Sequence, residues 1–248
     1  MPLPLVSFME EVTIDIRTYE PTPYGEKTME LTFERVITYL IPYLLKGVFI
    51  TVSVSFFALF FGAIGGLLLA LIRVYRGKVS RFIMIIISSV FRALPQTVLL
   101  LLLYFVIAGS INISAYWAGT LSLSIISCVY QMEIFRSSIE SIDGGQMMAA
   151  RAIGMSNMKA IRVIILPQAL RRALPAWANE AAGVIKGSSL VYIIGVVEVM
   201  RLAQYEIARS REPFAVYFSV ALIYFVIVYL TNLALRRVEK KLRIPDIS

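Results

Sequence analysis

The residues that could do chemistry in this sequence are a few polar and charged side chains inside long apolar segments. Ionisable groups are costly inside a membrane and usually face a partner or a water-filled path. The sequence has no histidine and a single cysteine, which excludes histidine-based catalysis, histidine metal sites and an intramolecular disulfide. We expect no catalytic residue and no metal site. The candidates for lining a solute path are Arg92, Asn179, Glu180, Lys186, Ser188 and Ser189.

Arg92 has two interpretations. It lies near Pro95, where a helix kink would free backbone carbonyls. In one interpretation Arg92 faces the path and attracts a carboxylate. In the other, its long side chain snorkels to the cytoplasmic interface.

The segment around Lys186 also leaves alternatives open. The following Gly187 allows an unwound turn, and an unwound segment near the middle of the membrane can hold a zwitterionic substrate. Alternatively, Lys186 pairs with a carboxylate such as Glu133 and joins two helices. Asn179 and Glu180 either line the path or join helices.

These side chains must be positioned by membrane helices. The 248 residues are 58% hydrophobic and 16% charged, with a mean hydropathy of +0.77, which is typical of membrane proteins. A helix needs about 20 apolar residues to cross the hydrocarbon core. The five predicted spans are Gly47–Ile72, Phe82–Ala108, Ile113–Met132, one within Ala173–Val197, and Pro213–Leu235. Within the first span, Gly62 and Gly66 are four residues apart, which predicts close packing of this helix against a neighbour.

The basic residues predict the orientation of these spans. They cluster after the first span, between the third and fourth, and after the fifth, which are all on one side. The positive-inside rule makes that side cytoplasmic. This distribution also argues that the net charge of +8 does not serve nucleic-acid binding. We predict a plasma (inner) membrane protein with an extracytoplasmic arm (1–41), a transmembrane domain (42–243) with a cytoplasmic loop (about 137–172), and a cytoplasmic tail (244–248).

The cytoplasmic loop contains an unusual run of small residues, GGQMMAARAIGM. Asp143 and two glycines precede good helix formers, and Gly154 can end the helix with a left-handed cap. A second short helix is predicted to begin at Ser156 or Asn157 and to end at Pro167. The loop either docks another protein closely or rests on the membrane surface as an amphipathic connector.

The same residues resemble a signature of ABC importer permeases, G-Q-x-E-A-A-x-A-L-G followed by I-x-L-P-Q-A, and more narrowly of the polar amino acid permease family. Met148 and Ile153 replace the glutamate and leucine of that signature. Other segments from about Lys46 to Arg243 resemble the family in the same order. The matching loop positions are Gly145, Gln146, Ala149, Ala150, Ala152 and Gly154, and the matching positions elsewhere include Arg92, Glu133, Asn179, Glu180, Lys186 and Ser189.

This resemblance implies an all-α membrane protein of the type I importer permease class, with five transmembrane helices, the N-terminus outside and the C-terminus in the cytoplasm. It implies a non-catalytic subunit that transports polar amino acids. The partners would be cytoplasmic ATPase subunits docked on the loop, an identical or homologous permease, and an extracytoplasmic solute-binding protein. The chain lacks a phosphate-binding loop, so we expect it to bind no cofactor and expect ATP and magnesium on the ATPase.

Two other functions are alternatives to a permease subunit. An ion-coupled secondary transporter would show inverted repeats and buried carboxylates for the driving ion. No internal repeat is visible, and few carboxylates lie in or near the spans (Glu133 and Glu180). A non-transporting membrane scaffold would not need the polar groups of the fourth span.

Overall fold

The computed structural model describes residues 33–110 and 113–242, and that part of the chain is helical with no strand. Most of the predicted arm (residues 1–32) and the predicted tail (244–248) lie outside the described residues. Residues 33–41 of the predicted arm are helical and lead into the first long helix through Phe33–Arg35, a π-helical turn at Val36–Leu40, and Ile41–Leu45.

Within residues 33–110 and 113–242 there are eight principal helices, numbered in chain order. They are α1 (Val48–Tyr75), α2 (Lys78–Ala93), α3 (Gln96–Ser110), α4 (Ala115–Glu140), α5 (Gly144–Ala152), α6 (Leu166–Gly187), α7 (Val199–Ser210) and α8 (Pro213–Leu242). In the described part, Val36–Tyr75, α4 and α8 are long and apolar enough to span a membrane. Two bent pairs bring the total to five spans when each pair is counted once.

The second predicted span is two helices rather than one interrupted helix. α2 and α3 meet at 114°, because Leu94 is extended (ψ 144°) and the following Pro95 disfavours helix at Leu94 and has no N–H to donate. The 15 residues of α3 extend about 22 Å at 1.5 Å per residue. This length is shorter than the hydrocarbon core of about 30 Å.

The fourth predicted span begins earlier than the sequence indicated. A continuous helical stretch runs from Asn157 to Ile194 and meets α7 at a bend of 53°. The prediction that a short helix ends at Pro167 is wrong. A π-helical turn at Ile161–Ile165 precedes α6, and Pro167 lies in the first turn of α6, where the missing proline N–H is tolerated.

α4 lies at the centre of the bundle. In the most apolar stretch of α4, 67% of the residues are buried. The corresponding stretches of Val36–Tyr75 and α8 are each 28% buried. Close packing with α1 depends on Gly62 and Gly66, where an added Cβ would lie 2.7 Å from Gln131 Nε2 and 2.8 Å from Gln131 Cβ, respectively. The structural role predicted for this glycine pair is confirmed.

Candidate functional site

A chain of hydrogen bonds joins α4 and α6 in the middle of the bundle. Trp177 Nε1 donates to Gln131 Oε1 at 2.7 Å. Gln131 Nε2 donates to the Leu59 carbonyl at 3.2 Å and to Ser127 Oγ at 2.9 Å. The Ser127 hydroxyl in turn donates to Glu180 Oε1 at 2.8 Å. This polar network therefore ends on a carboxylate that the sequence predicted as a candidate path residue.

Helical periodicity explains why these side chains meet. Ser127 and Gln131 are four residues apart on α4, and Trp177 and Glu180 are three apart on α6, so each pair shares one helix face. The sequence reasoning missed Ser127, Gln131 and Trp177. A signal was present, because Thr120, Ser124, Ser127 and Gln131 form a polar stripe of helical period, and all of them are buried.

The structure does not bring the other predicted path residues to this network. Arg92, Asn179 and Lys186 are exposed on the surface of the protomer. The Ser188 hydroxyl is buried and donates to the Ile185 carbonyl, and the Ser189 hydroxyl donates to the Lys186 carbonyl, both at 2.7 Å. Glu180 is the one predicted path residue that joins the network.

The predicted break in the fourth span exists, but the backbone there is tightened rather than unwound. α6 ends at Gly187 and continues as a 3₁₀ helix through Ser188–Ile194. The turn into α7 is made by Gly195, whose φ of +93° is left-handed and therefore favours glycine. Gly187 packs directly against the Gln96 side chain at the start of α3.

Glu133 does not pair with Lys186, so the named example of a helix-joining partner for Lys186 is wrong. The Glu133 carboxylate instead accepts hydrogen bonds from Arg73 on α1, Ser88 on α2 and Arg136 on α4. Arg136 also pairs with Glu140. The Glu133 network therefore ties α1, α2 and α4 together.

Another carboxylate network, around Glu198, was not predicted, because a segment between two spans with Arg201, Arg209 and Arg211 close by is typical of a charged loop. Glu198 is fully buried. It caps α7 by accepting from the Arg201 amide at 2.9 Å, and its other oxygen accepts from Tyr224 at 2.8 Å and Thr51 at 3.2 Å. An added Cβ on Gly47 would lie 2.6 Å from the Val199 backbone nitrogen, so the starts of α1 and α7 are in close contact.

The small-residue loop forms the capped helix that the sequence predicted. The Asp143 carboxylate accepts from the Gly145 amide at 2.7 Å and begins α5. Gly154 has a left-handed φ of +84°, and the Met155 amide donates to the Ala150 carbonyl at 3.0 Å, which closes the helix as a glycine C-cap. Ser156 caps the next helical segment.

α5 has an inner and an outer face. Ala150 is buried, and Met147 packs against the cluster that contains Phe135 and Ile139 of α4. On the outer face, Met148 is 70% exposed and Ile153 is 78% exposed. Gln146 and Ala149 are also exposed and Gly145 is half-buried. A displacement of α5 would therefore be passed to α4 through packed side chains.

Long apolar helices, two bent helix pairs and a short capped helix between them are typical of a multi-pass membrane protein. Residues 62–244 match the family described as "Binding-protein-dependent transport system inner membrane component", and the chain belongs to this family. The protein is thus a permease subunit of an ABC importer in the inner membrane. The predicted family and fold class are confirmed.

Several curated relatives cover most of this chain. The probable amino-acid permease protein YxeN of Bacillus subtilis (strain 168) is 32% identical over 82% of this chain and 93% of its own length. The glutamine transport system permease protein GlnP of Escherichia coli (strain K12) is 33% identical over 82% of this chain and 94% of its own length. The probable amino-acid ABC transporter permease protein PatM of Vibrio harveyi is 37% identical over 78% of this chain and 89% of its own length.

Solved structures share the fold. A chain in the crystal structure of an amino acid ABC transporter with histidines is 33% identical, with a TM-score of 0.75 over 86% of this chain and all of that chain. A chain of the inward-facing MetNI methionine ABC transporter superposes with a TM-score of 0.70 over 84% of this chain and 99% of that chain. Its identity of 22% supports the fold alone.

Proposed function

We propose that this permease transports polar amino acids and is powered by separate cytoplasmic ATPase subunits that dock on α5. The observation that carries the proposal is the outer face of α5, where Met148 and Ile153 are exposed on a helix held by caps at both ends. An exposed apolar surface on a rigid support is typical of a protein contact site. The relatives named as glutamine or amino-acid permeases support the substrate class.

The partners follow from this role. ATP and magnesium would be bound by the ATPase, and this chain would bind no cofactor and hydrolyse nothing. An extracytoplasmic solute-binding protein would deliver the substrate. A second permease, identical or homologous, would face the surface that exposes Arg92, Asn179 and Lys186. These side chains, with Ser188 and Ser189 nearby, would contribute to a path only at such an interface.

Glu180 is the residue of this chain best placed to contact the solute. Among the described residues, Ser127 is the one side chain found to donate to the Glu180 carboxylate, although a carboxylate has about four acceptor positions. The free acceptor positions suit the ammonium group that every amino acid carries. The α4–α6 network would hold the carboxylate in place for that contact.

The docking role of α5 is tested with the chain co-purified with its ATPase and reconstituted with its solute-binding protein. We expect Ile153→Asp to abolish substrate-stimulated ATP hydrolysis and ATPase co-purification, because the substitution puts a charge on the apolar contact face at a position where the family signature also has an apolar residue. The matched control is Val238→Asp, another exposed apolar residue near the cytoplasmic end of α8. Normal coupling in Ile153→Asp, or equal loss in both variants, would rule out α5 as the docking helix.

A further inference from the structure

A groove opens between the end of α1 and the segment that follows α5. Its volume is about 640 Å³, which is within the range of small-molecule sites, about 300–1,000 Å³. One wall is formed by Leu68, Leu71 and Ile72 of α1, and the other includes Met158 and Ile161. The groove shares no lining residue with the α4–α6 network, and Met147 and Arg151 of α5 line it.

The rim of this groove is basic. Arg76, just after α1, and Arg151, in the last turn of α5, both line it, and both are exposed. No acidic residue is among the groove's lining residues in the described part of the chain. Two cations in a lining that contains no carboxylate favour an anion in the groove. Tyr75 lies beside them, and tyrosine is enriched at membrane interfaces.

The apolar wall continues along the membrane-spanning surface of α1. Phe56, Phe60, Ile64 and Leu68 are all exposed and follow each other at four-residue spacing, so they form one stripe on the helix. This stripe runs directly into the groove at Leu68. A ligand that contacts both the apolar stripe and the basic rim must have a long apolar part and an anionic head.

We propose that this groove binds an anionic phospholipid of the cytoplasmic leaflet. Arg76 and Arg151 hold its phosphate, and one acyl chain lies along Leu68 and Leu71. Basic pockets at the cytoplasmic side of membrane helices recognise acidic lipid headgroups in this way. Because the lipid contacts both α1 and the α5 helix, it would brace α5 against the membrane domain. This binding does not depend on which solute is transported.

The test uses the full chain with its co-purifying subunits, in nanodiscs of phosphatidylglycerol and phosphatidylcholine. The lipid retained after transfer to detergent is counted by native mass spectrometry. We expect preferential retention of phosphatidylglycerol by the wild type and a loss of roughly tenfold or more in the Arg76→Gln/Arg151→Gln double variant. The Arg76→Lys/Arg151→Lys variant should retain most of the lipid, because it keeps both charges.

A matched control removes the same charge elsewhere. Arg171 and Arg237 are exposed and do not line the groove, so Arg171→Gln/Arg237→Gln should retain phosphatidylglycerol like the wild type. Soluble glycerophosphoglycerol, which has no acyl chains, should not displace the lipid. The proposal is overturned if both double variants lose lipid equally, if the soluble headgroup competes fully, or if a photo-crosslinker at Met158 captures the ATPase instead of lipid.

Discussion

Two carboxylates in this protein show how a shared residue type can serve different roles. Glu198 is fully buried, and both of its oxygens accept hydrogen bonds, from the α7 backbone on one side and from Thr51 and Tyr224 on the other. Glu180 is half-buried, and the described residues supply one hydrogen bond to its carboxylate, from Ser127.

The difference lies in how many acceptor positions the fold has already filled. The donors to Glu198 come from α1, α7 and α8, so this carboxylate joins three helices and has little capacity left for a ligand. The donor to Glu180 comes from α4 alone, and that donor is itself fixed by Gln131. Hydrogen-bond saturation therefore distinguishes the carboxylate that holds helices together from the carboxylate that we propose to contact the solute.

The largest expected effect on stability comes from removing the saturated carboxylate. Glu198→Ala should lower the free energy of unfolding by about 2–4 kcal/mol, because it removes the acceptor of the half-buried Tyr224 hydroxyl, one of the two acceptors of the buried Thr51 hydroxyl, and the cap of α7. Unfolding in mixed micelles, followed by far-ultraviolet circular dichroism, measures the loss. The exposed Glu34 is the control, and Glu34→Ala should change stability by less than about 0.5 kcal/mol. Equal stability of the two variants would contradict the holding role.

A smaller loss is expected from disturbing the packing around the Glu180 network. In Gly66→Ala the new Cβ would lie 2.8 Å from Gln131 Cβ and 2.9 Å from the Cys128 carbonyl oxygen. These atoms are held by the backbone of α4 and cannot shift without moving the helix. We therefore expect the free energy of unfolding to fall by about 1–3 kcal/mol in the same measurement. Gly109→Ala is the matched control, since nothing lies within 4 Å of its added Cβ. A neutral Gly66→Ala would show that α1 and α4 can separate without cost.

Removing the Trp177 N–H donor from the α4–α6 network should lower the free energy of unfolding by a smaller amount than Gly66→Ala. Trp177→Phe keeps an aromatic ring but leaves Gln131 Oε1 without the indole N–H, and we expect a loss of about 1 kcal/mol. Trp117→Phe is the control, because Trp117 packs against the Phe57 and Tyr116 rings and does not belong to the network. If the control loses as much stability as Trp177→Phe, ring size rather than the hydrogen bond determines the effect.

Local patterns predicted the parts of this fold that depend on neighbouring residues. The long spans follow from uncharged apolar runs, and the caps of α5 follow from Asp143 and Gly154, which act within one or two turns. The sequence also indicated a helix break near Pro95. It did not indicate the angle between α2 and α3, because the direction in which α3 leaves α2 depends on packing against α4 and Gly187.

The polar networks were mostly beyond the reach of the sequence. Glu198 and Thr51 are 147 residues apart, and only the packing of α1 against α7 brings them together. A glutamate among arginines in a short segment is typical of an exposed loop, so its burial was not expected. The Glu180 network depends on the contact between α4 and α6. The polar stripe indicated which α4 residues face a polar partner, but it did not indicate that α6 supplies this partner.

The smallest effect on stability, combined with a large effect on transport, is expected from Glu180→Gln. The amide keeps an oxygen that can accept from Ser127, so unfolding should change by less than about 1 kcal/mol. A charged hydrogen bond to the substrate ammonium would be lost, at about 1.5–3 kcal/mol, so amino-acid uptake into proteoliposomes at low substrate concentration should fall roughly tenfold or more.

The control for Glu180→Gln is Glu140→Gln, because Glu140 pairs with Arg136 at the end of α4 and lies away from the network. It should leave uptake unchanged. Full uptake in Glu180→Gln would mean that Glu180 only joins α6 to α4. If Glu180→Gln lowers both stability and uptake by a large amount, Glu180 holds helices together as Glu198 does. Only the combination of a stable fold and weakened uptake supports hydrogen-bond saturation as the property that separates the two carboxylates.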